Sequence, residues 1–175
     1  MNIIVMGAPG VGKTTLIERI ATTLGERAGG VITREIREAG SRTGFTIESL
    51  DGESRVLASR GFRQGPRVGP YRVNVANLEA VGVGAVRRAL DRSQVVVIDE
   101  IGKMELISPA FKAIILEALE SGLPTISTMG VSKIAFMQTV RERADVRIIG
   151  ITVDNRDSLR EDLTEMIASW LSDGG

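Results

Sequence analysis

Residues 7–14 read Gly7-Ala8-Pro9-Gly10-Val11-Gly12-Lys13-Thr14, and they fill every fixed position of the phosphate-cradling pattern G-x-x-x-x-G-K-[ST]. The flanks fit as well. Asn2-Ile3-Ile4-Val5-Met6 reads as a buried strand, and Leu16, Ile17, Ile20, Ala21 and Leu24 then repeat at helical spacing. Strand, glycine loop and helix in that order are the context the pattern needs. The glycines let successive N–H groups turn inward around an anion without Cβ clashes. The start of the helix adds the positive end of its dipole. Lys13 is placed to reach the β- and γ-phosphates, and the Thr14 hydroxyl to ligate Mg²⁺. Gly7, Ala8, Pro9, Gly10, Val11, Gly12, Lys13, Thr14 and Thr15 are therefore the candidate nucleotide-binding set.

The chain of 175 residues is most simply one domain, long enough to bury a core without staples. Its 22 Lys plus Arg balance 22 Asp plus Glu, so no net field draws in nucleic acid or an anionic membrane. It has no cysteine, which excludes disulfides and thiolate metal sites. It has no histidine either, so any catalysis rests on carboxylates, lysine, arginine, hydroxyls and a hard cation. Two of its four lysines, Lys13 and Lys103, lie inside the motifs described here, in a chain that otherwise uses arginine. No apolar run reaches about 18 residues, and the reading is a cytoplasmic protein without leader or anchor.

After the first helix, Gly25 and Gly29-Gly30 read as a cap and a turn. Residues 29–60 read as a β-rich, partly antiparallel insertion, with turns at Ala39-Gly40-Ser41 and at Asp51-Gly52. Residues 60–72 hold Arg60, Arg63, Arg67 and Arg72 among glycines and prolines without periodicity. They read either as a solvated loop or as a mobile lid bringing an arginine to the γ-phosphate. A helix is predicted over 75–92, weakened by Gly82 and Gly84. A further helix starts at Ser108-Pro109, strands span 123–128 and 146–153, and a short helix spans 133–143. A last helix from Arg156 places Leu159, Leu163, Met166, Ile167, Trp170 and Leu171 on one face, with Trp170 expected in the core.

Val95-Val96-Val97-Ile98-Asp99-Glu100 carries the second half of the chemistry. Its four β-branched residues read as a strand buried on both faces, and the acids fall where ligands of open α/β sheets bind. Asp99 is expected to hold Mg²⁺ opposite Thr14. Glu100, on the alternate side, is the candidate base or water-positioning group. Lys103 and Glu105 read as partners for one another, for phosphate or for solvent. Thr128 reads either as a γ-phosphate sensor or simply as a strand end.

The glycine loop, Asp99-Glu100-Ile101-Gly102-Lys103-Met104-Glu105-Leu106 and the late Asp154-Asn155-Arg156-Asp157 together resemble the thermophile-type P-loop nucleoside-triphosphatase family, which has a human cancer-related member. The resemblance spans roughly the whole chain. It implies a RecA-like, mostly parallel α/β sheet flanked by helices, with a β-hairpin insertion after the first helix. It also implies Mg²⁺-dependent hydrolysis of ATP, GTP and other nucleoside triphosphates, with Glu100 and Lys13 as catalytic groups. Asn155 and Arg156 fall where the family's late asparagine-arginine pair borders the base. Arg34 stands where members tend to carry an acid. No nucleic-acid or membrane partner is expected, and the chain is expected to be a monomer. The alternative is a P-loop kinase passing the γ-phosphate to a nucleotide or other small acceptor, with residues 60–72 as its lid. A guanine-reading Asn-Lys-x-Asp element is absent, which disfavours a nucleotide switch.

Overall fold

The parallel strands form in the order that brings the phosphate loop and the paired acids to one edge. The computed structural model describes residues 1–173. Side by side run β2 (Ala28–Glu38), β7 (Val95–Ile101), β8 (Thr125–Met129), β1 (Asn2–Met6) and β9 (Val146–Gly150), all parallel. The strand that feeds the phosphate loop, β1, is thus separated from the acid-bearing β7 by β8. Both faces of this part are buried. Ile3, Val5, Val95 and Val97 pack under α1 (Lys13–Leu24) and α6 (Arg156–Asp173) on one face. Ile4, Val96 and Ile98 pack on the other face, which is covered by helical residues 75–92, α4 (Pro109–Glu120) and α5 (Ala135–Arg141). Such two-sided burial is what a run of β-branched residues supplies.

Beyond β2 the sheet continues as four antiparallel strands, in the spatial order β3 (Ser41–Ser49), β4 (Ser54–Ser59), β6 (Tyr71–Val73) and β5 (Arg67–Val68). The insertion is therefore larger than a hairpin and starts later than residue 29. Ala28–Ile32 pairs in parallel with Val95–Asp99 and belongs to the main sheet. Residues 60–72 are not wholly irregular, because β5 and β6 close a small antiparallel edge there. Tyr71 anchors that edge. It is buried, meets Phe45 edge-on at 5.2 Å between ring centroids, and lies under the guanidinium groups of Arg42 and Arg60.

Helical residues 75–92 comprise α2 (Val75–Asn77), a π-helical stretch over Leu78–Val83, and α3 (Gly84–Arg92). Gly82 lies in the π-helical part, where a Cβ would come within 2.8 Å of the Phe111 ring and 2.9 Å of Ile47. The glycine that weakens the helix also lets it approach α4 and β3. Ser108 caps α4 by accepting from the Phe111 amide at 3.0 Å, with Pro109 in the first turn. Trp170 differs from expectation. Leu163 and Ile167 are fully covered, but Trp170 sits at the border of the apolar stripe of α6 and is 38% exposed.

Gly29-Gly30 also differs, for they lie within β2 and not in a turn. A Cβ at Gly29 would stand 2.2 Å from Ser93 Oγ and 2.8 Å from the Ala89 side chain. One at Gly30 would stand 2.0 Å from the Val97 carbonyl oxygen, and Gly30 has φ +129°. Glycine inside a strand here marks close approach of neighbouring backbone. Gly30→Ala is therefore expected to destabilise the protein by at least about 2 kcal/mol in thermal unfolding. Gly40→Ala, at φ +78° with nothing within 4 Å, should cost only the backbone term of about 1 kcal/mol. Equal losses at the two positions would contradict this account.

Candidate active site

The phosphate loop takes its shape from three glycines. Gly10 and Gly12 adopt φ +78° and +108°, a left-handed conformation that side chains resist. Gly7 is pressed against the segment after β9, where a Cβ would stand 2.7 Å from the Ile151 carbonyl oxygen. Gly12 caps α1 without any side-chain hydrogen bond, and the first turn contains no acid. The orphan amides of that turn are therefore free for an anion. Ala8, Pro9, Gly10 and Thr15 face solvent, whereas Val11 is buried beneath the loop. Lys13 is only 7% exposed, and its Nζ donates to the carbonyl oxygens of Gly7 at 3.1 Å and Ala8 at 3.2 Å. The ammonium is thus held across the mouth of the loop.

Asp99 is the meeting point of three elements. It is buried, and Thr14 of α1 donates to its Oδ2 at 2.7 Å. Thr128 of β8 donates to its Oδ1. The strand order explains this, since β8 lies between β1 and β7, with Thr128 opposite Val5. Register between β7 and β8 holds through Ile98↔Ser127 and resumes one residue out of step at Ile101↔Met129. That irregularity re-aims the acids at the sheet edge. Burial pushes the Asp99 carboxyl up to about 6, with the two threonine hydrogen bonds and Lys13 pulling it back and the charge of Glu100 adding to the rise. Thr128 is thus more than a strand end. Only the sheet order reveals it, because nothing in its local sequence points to Asp99.

Glu100 is half-buried, with Oε1 lying between Gly102 and Gly130. Burial raises its carboxyl above the ordinary glutamate range, and Lys13 opposes the rise. The pairing considered for Lys103 and Glu105 is not formed. Lys103 is exposed, whereas Glu105 is 4% exposed and accepts from the Thr33 hydroxyl at 3.3 Å. A backbone hydrogen bond from Leu106 N to Gly102 O turns the chain after β7 and folds Glu105 inward.

Arg34 forms ion pairs with Glu18, one turn beyond Thr14 on α1, at 2.5 Å and with Glu48 of β3 at 2.7 Å. Its cation ties the extension of the sheet to the helix that follows the phosphate loop. Asn155 uses both ends of its amide on its own loop. Nδ2 donates to Gly150 O at 3.0 Å, and Oδ1 accepts from Thr152 N at 2.7 Å. Arg156 is exposed, and its Cδ lies 3.9 Å from where a Gly12 Cβ would be. Arg156 thus stands beside the phosphate loop while Asn155 braces the segment that puts it there.

Thr14 and Asp99 offer two hard oxygens 2.7 Å apart, a donor set suited to Mg²⁺. Among the described residues no cluster of three or more His, Cys, Asp or Glu forms a metal cage. A cation here would complete its shell with phosphate oxygens and water, as Mg²⁺ does in phosphate sites. Among the described residues no helix is long and apolar enough to cross a membrane.

The comparisons with known proteins agree with this geometry. A family model described as NTPase matches residues 2–164. Nucleoside-triphosphatase THEP1 of Thermofilum pendens is 46% identical over 177 residues, covering 98% of this chain and 97% of that protein. The crystal structure of THEP1 from Aquifex aeolicus superposes with a TM-score of 0.88 at 33% identity, over 95% of this chain and 99% of that one. The solution structure of a human cancer-related nucleoside triphosphatase gives a TM-score of 0.81 at 34% identity, over 96% and 97%. Strand order, phosphate loop and acid-bearing strand are those of a P-loop fold, and the chain belongs to this NTPase family.

Proposed function

We propose that the protein is a Mg²⁺-dependent nucleoside-triphosphatase that hydrolyses ATP, GTP and other nucleoside triphosphates to the diphosphate and phosphate. The observation that carries this reading is the convergence at one sheet edge of Lys13, the Thr14–Asp99 pair and the half-buried Glu100. The names of the relatives support the activity, and the hard-oxygen pair supports the cation.

The α1 amides and Lys13 bind the β- and γ-phosphates and neutralise charge as it shifts toward the leaving oxygen. Thr14 and Asp99 would hold Mg²⁺, which when bound supplies further neutralisation on the phosphate oxygens. Thr128 keeps the Asp99 carboxylate oriented from behind. Glu100 takes a proton from the attacking water as its oxygen bonds to the γ-phosphorus and the bond to the β–γ bridging oxygen breaks. Arg156 stands to flank the nucleotide next to Gly12, with Asn155 supporting its loop.

The test is phosphate release by the purified protein from a panel of ribo- and deoxynucleoside triphosphates, with and without Mg²⁺, beside Lys13→Ala. Release from several nucleotides is expected only with Mg²⁺, and Lys13→Ala should lower kcat/KM at least about a hundredfold, roughly 2.7 kcal/mol of transition-state stabilisation. Release that starts only when an acceptor nucleotide is added would overturn the hydrolase and favour a kinase.

A further inference from the structure

A triphosphate held in the phosphate loop has a direction set by the sheet. Asp99 and Glu100, the acids that serve its γ-phosphate, lie at the end of β7, while the loop itself follows β1. On the side of β1 away from β7 runs β9. With the reacting end of the nucleotide toward β7, its nucleoside end is carried toward the turn that joins β9 to α6. That turn is fastened close to the phosphate loop at both of its ends. Ile151 N donates to Met6 O at 2.8 Å, one residue before Gly7. At the far end of the turn, Arg156 lies beside Gly12.

The turn also exposes an apolar side chain. Among the described residues, Val56, Val131, Ile148, Val153 and Trp170 are the large hydrophobic residues left exposed. Of these, only Val131 and Val153 lie in connections at the C-terminal edge of the parallel strands. Val131 follows β8 and adjoins Gly130, on the Glu100 side of the site. Val153 follows β9 and is 64% exposed. Its backbone is not loose, because Asn155 pins the turn. Asn155 Nδ2 donates to Gly150 O at 3.0 Å, and Oδ1 accepts from Thr152 N at 2.7 Å. The Asn155 amide in turn donates to Thr152 Oγ1 at 3.3 Å. Val153 is thus held in water by a braced loop rather than left there by a mobile one. Asp154 and Asp157 are exposed on the same segment and repel a phosphate chain, while the one cation there, Arg156, lies toward Gly12. The uncharged end of a nucleotide is what suits the tip of this turn.

We propose that Val153 is the platform on which the nucleobase lies, held by its face and with no demand on its edge. Asn155 is the side chain of the turn best equipped to read a base edge, and both ends of its amide are committed to the backbone. Every base has a face to offer, whatever its ring size or edge pattern. A site of this kind accepts purines and pyrimidines alike. The proposal deepens the reading of the protein as an enzyme for several nucleoside triphosphates, and it rests on residues 7–14 being the phosphate cradle.

Val153→Ser removes the apolar surface at an exposed position, where substitution scarcely affects folding. Val153→Phe enlarges that surface, and a gain in affinity cannot come from misfolding. The test is calorimetric titration of wild type and both variants with ADP, GDP, CDP, UDP and pyrophosphate in the presence of Mg²⁺. Diphosphates are products that the proposed reaction does not consume, so binding is read apart from hydrolysis. Val153→Ser should weaken all four diphosphates at least about threefold, by factors within about twofold of one another, and leave pyrophosphate within about 1.5-fold of wild type. Val153→Phe should tighten ADP and GDP at least about threefold, as an aromatic stacking surface does, again with pyrophosphate unmoved. Unchanged diphosphate affinity in either variant, or a loss confined to one base, would overturn the platform. A parallel shift in pyrophosphate would overturn it too, by showing that residue 153 shapes the phosphate loop. If the diphosphates respond as expected but no triphosphate releases phosphate, the hydrolase falls and the platform stands. Failure of wild type to bind pyrophosphate or any diphosphate would sink the cradle, and the platform with it.

Discussion

The buried carboxylate of Asp99 is the constraint on which the rest of the site depends. A charged group out of water needs hydrogen-bond donors, and here they come from two different elements, Thr14 at the start of α1 and Thr128 on β8. Those two bonds join the phosphate loop, the intervening strand and the acid-bearing strand at one point. The position of β8 between β1 and β7 is what lets Thr128 supply the second of them. If β7 lay directly against β1, no strand would stand between them to supply Thr128. The hydroxyl that steadies Asp99 from α1 is also the one suited to share a cation with it.

Around this point the architecture is governed by close approach. Gly7 admits the backbone after β9, and Gly30 admits the β7 carbonyl of Val97. Gly82 admits Phe111, and Gly102 leaves room for two carboxyl groups. Each missing side chain lets a neighbouring element come nearer than a Cβ would allow. The antiparallel extension is tied to this centre by Arg34, which bridges Glu48 of β3 to Glu18 of α1. Arg34 thereby joins the outer sheet to the helix that follows the phosphate loop. Pairs this exposed contribute modestly to stability, and their effect is chiefly on orientation.

How legible the molecule was from its residues depended on how local the physics is. The phosphate loop and Asp99-Glu100 were readable because their chemistry lies in consecutive residues flanked by clear periodicities. Ser108-Pro109 announced its helix for the same reason. Gly29-Gly30 was misread as a turn because a glycine that turns the chain and one that lets another backbone approach look identical until the neighbour is known. Residues 60–72 hid two short strands, since two or three residues carry no period. Trp170 was expected in the core on hydrophobicity alone, yet its position on α6 leaves it at the border. Thr128 and Glu105 were the least legible. The role of the first follows from strand order, and the burial of the second follows from a turn that folds it under β7; neither is encoded in its immediate neighbours.

The central claim is that Glu100 acts on the water while Lys13 binds the triphosphate and Thr14 and Asp99 would hold its Mg²⁺. The measurement that tests it most directly follows a single turnover of ATP pre-bound with Mg²⁺, alongside the dissociation constant, for wild type and Glu100→Gln. The account predicts dissociation constants within about threefold of each other and cleavage slowed at least about tenfold, a barrier rise of about 1.4 kcal/mol. Cleavage of the bound nucleotide at the wild-type rate in Glu100→Gln would contradict it.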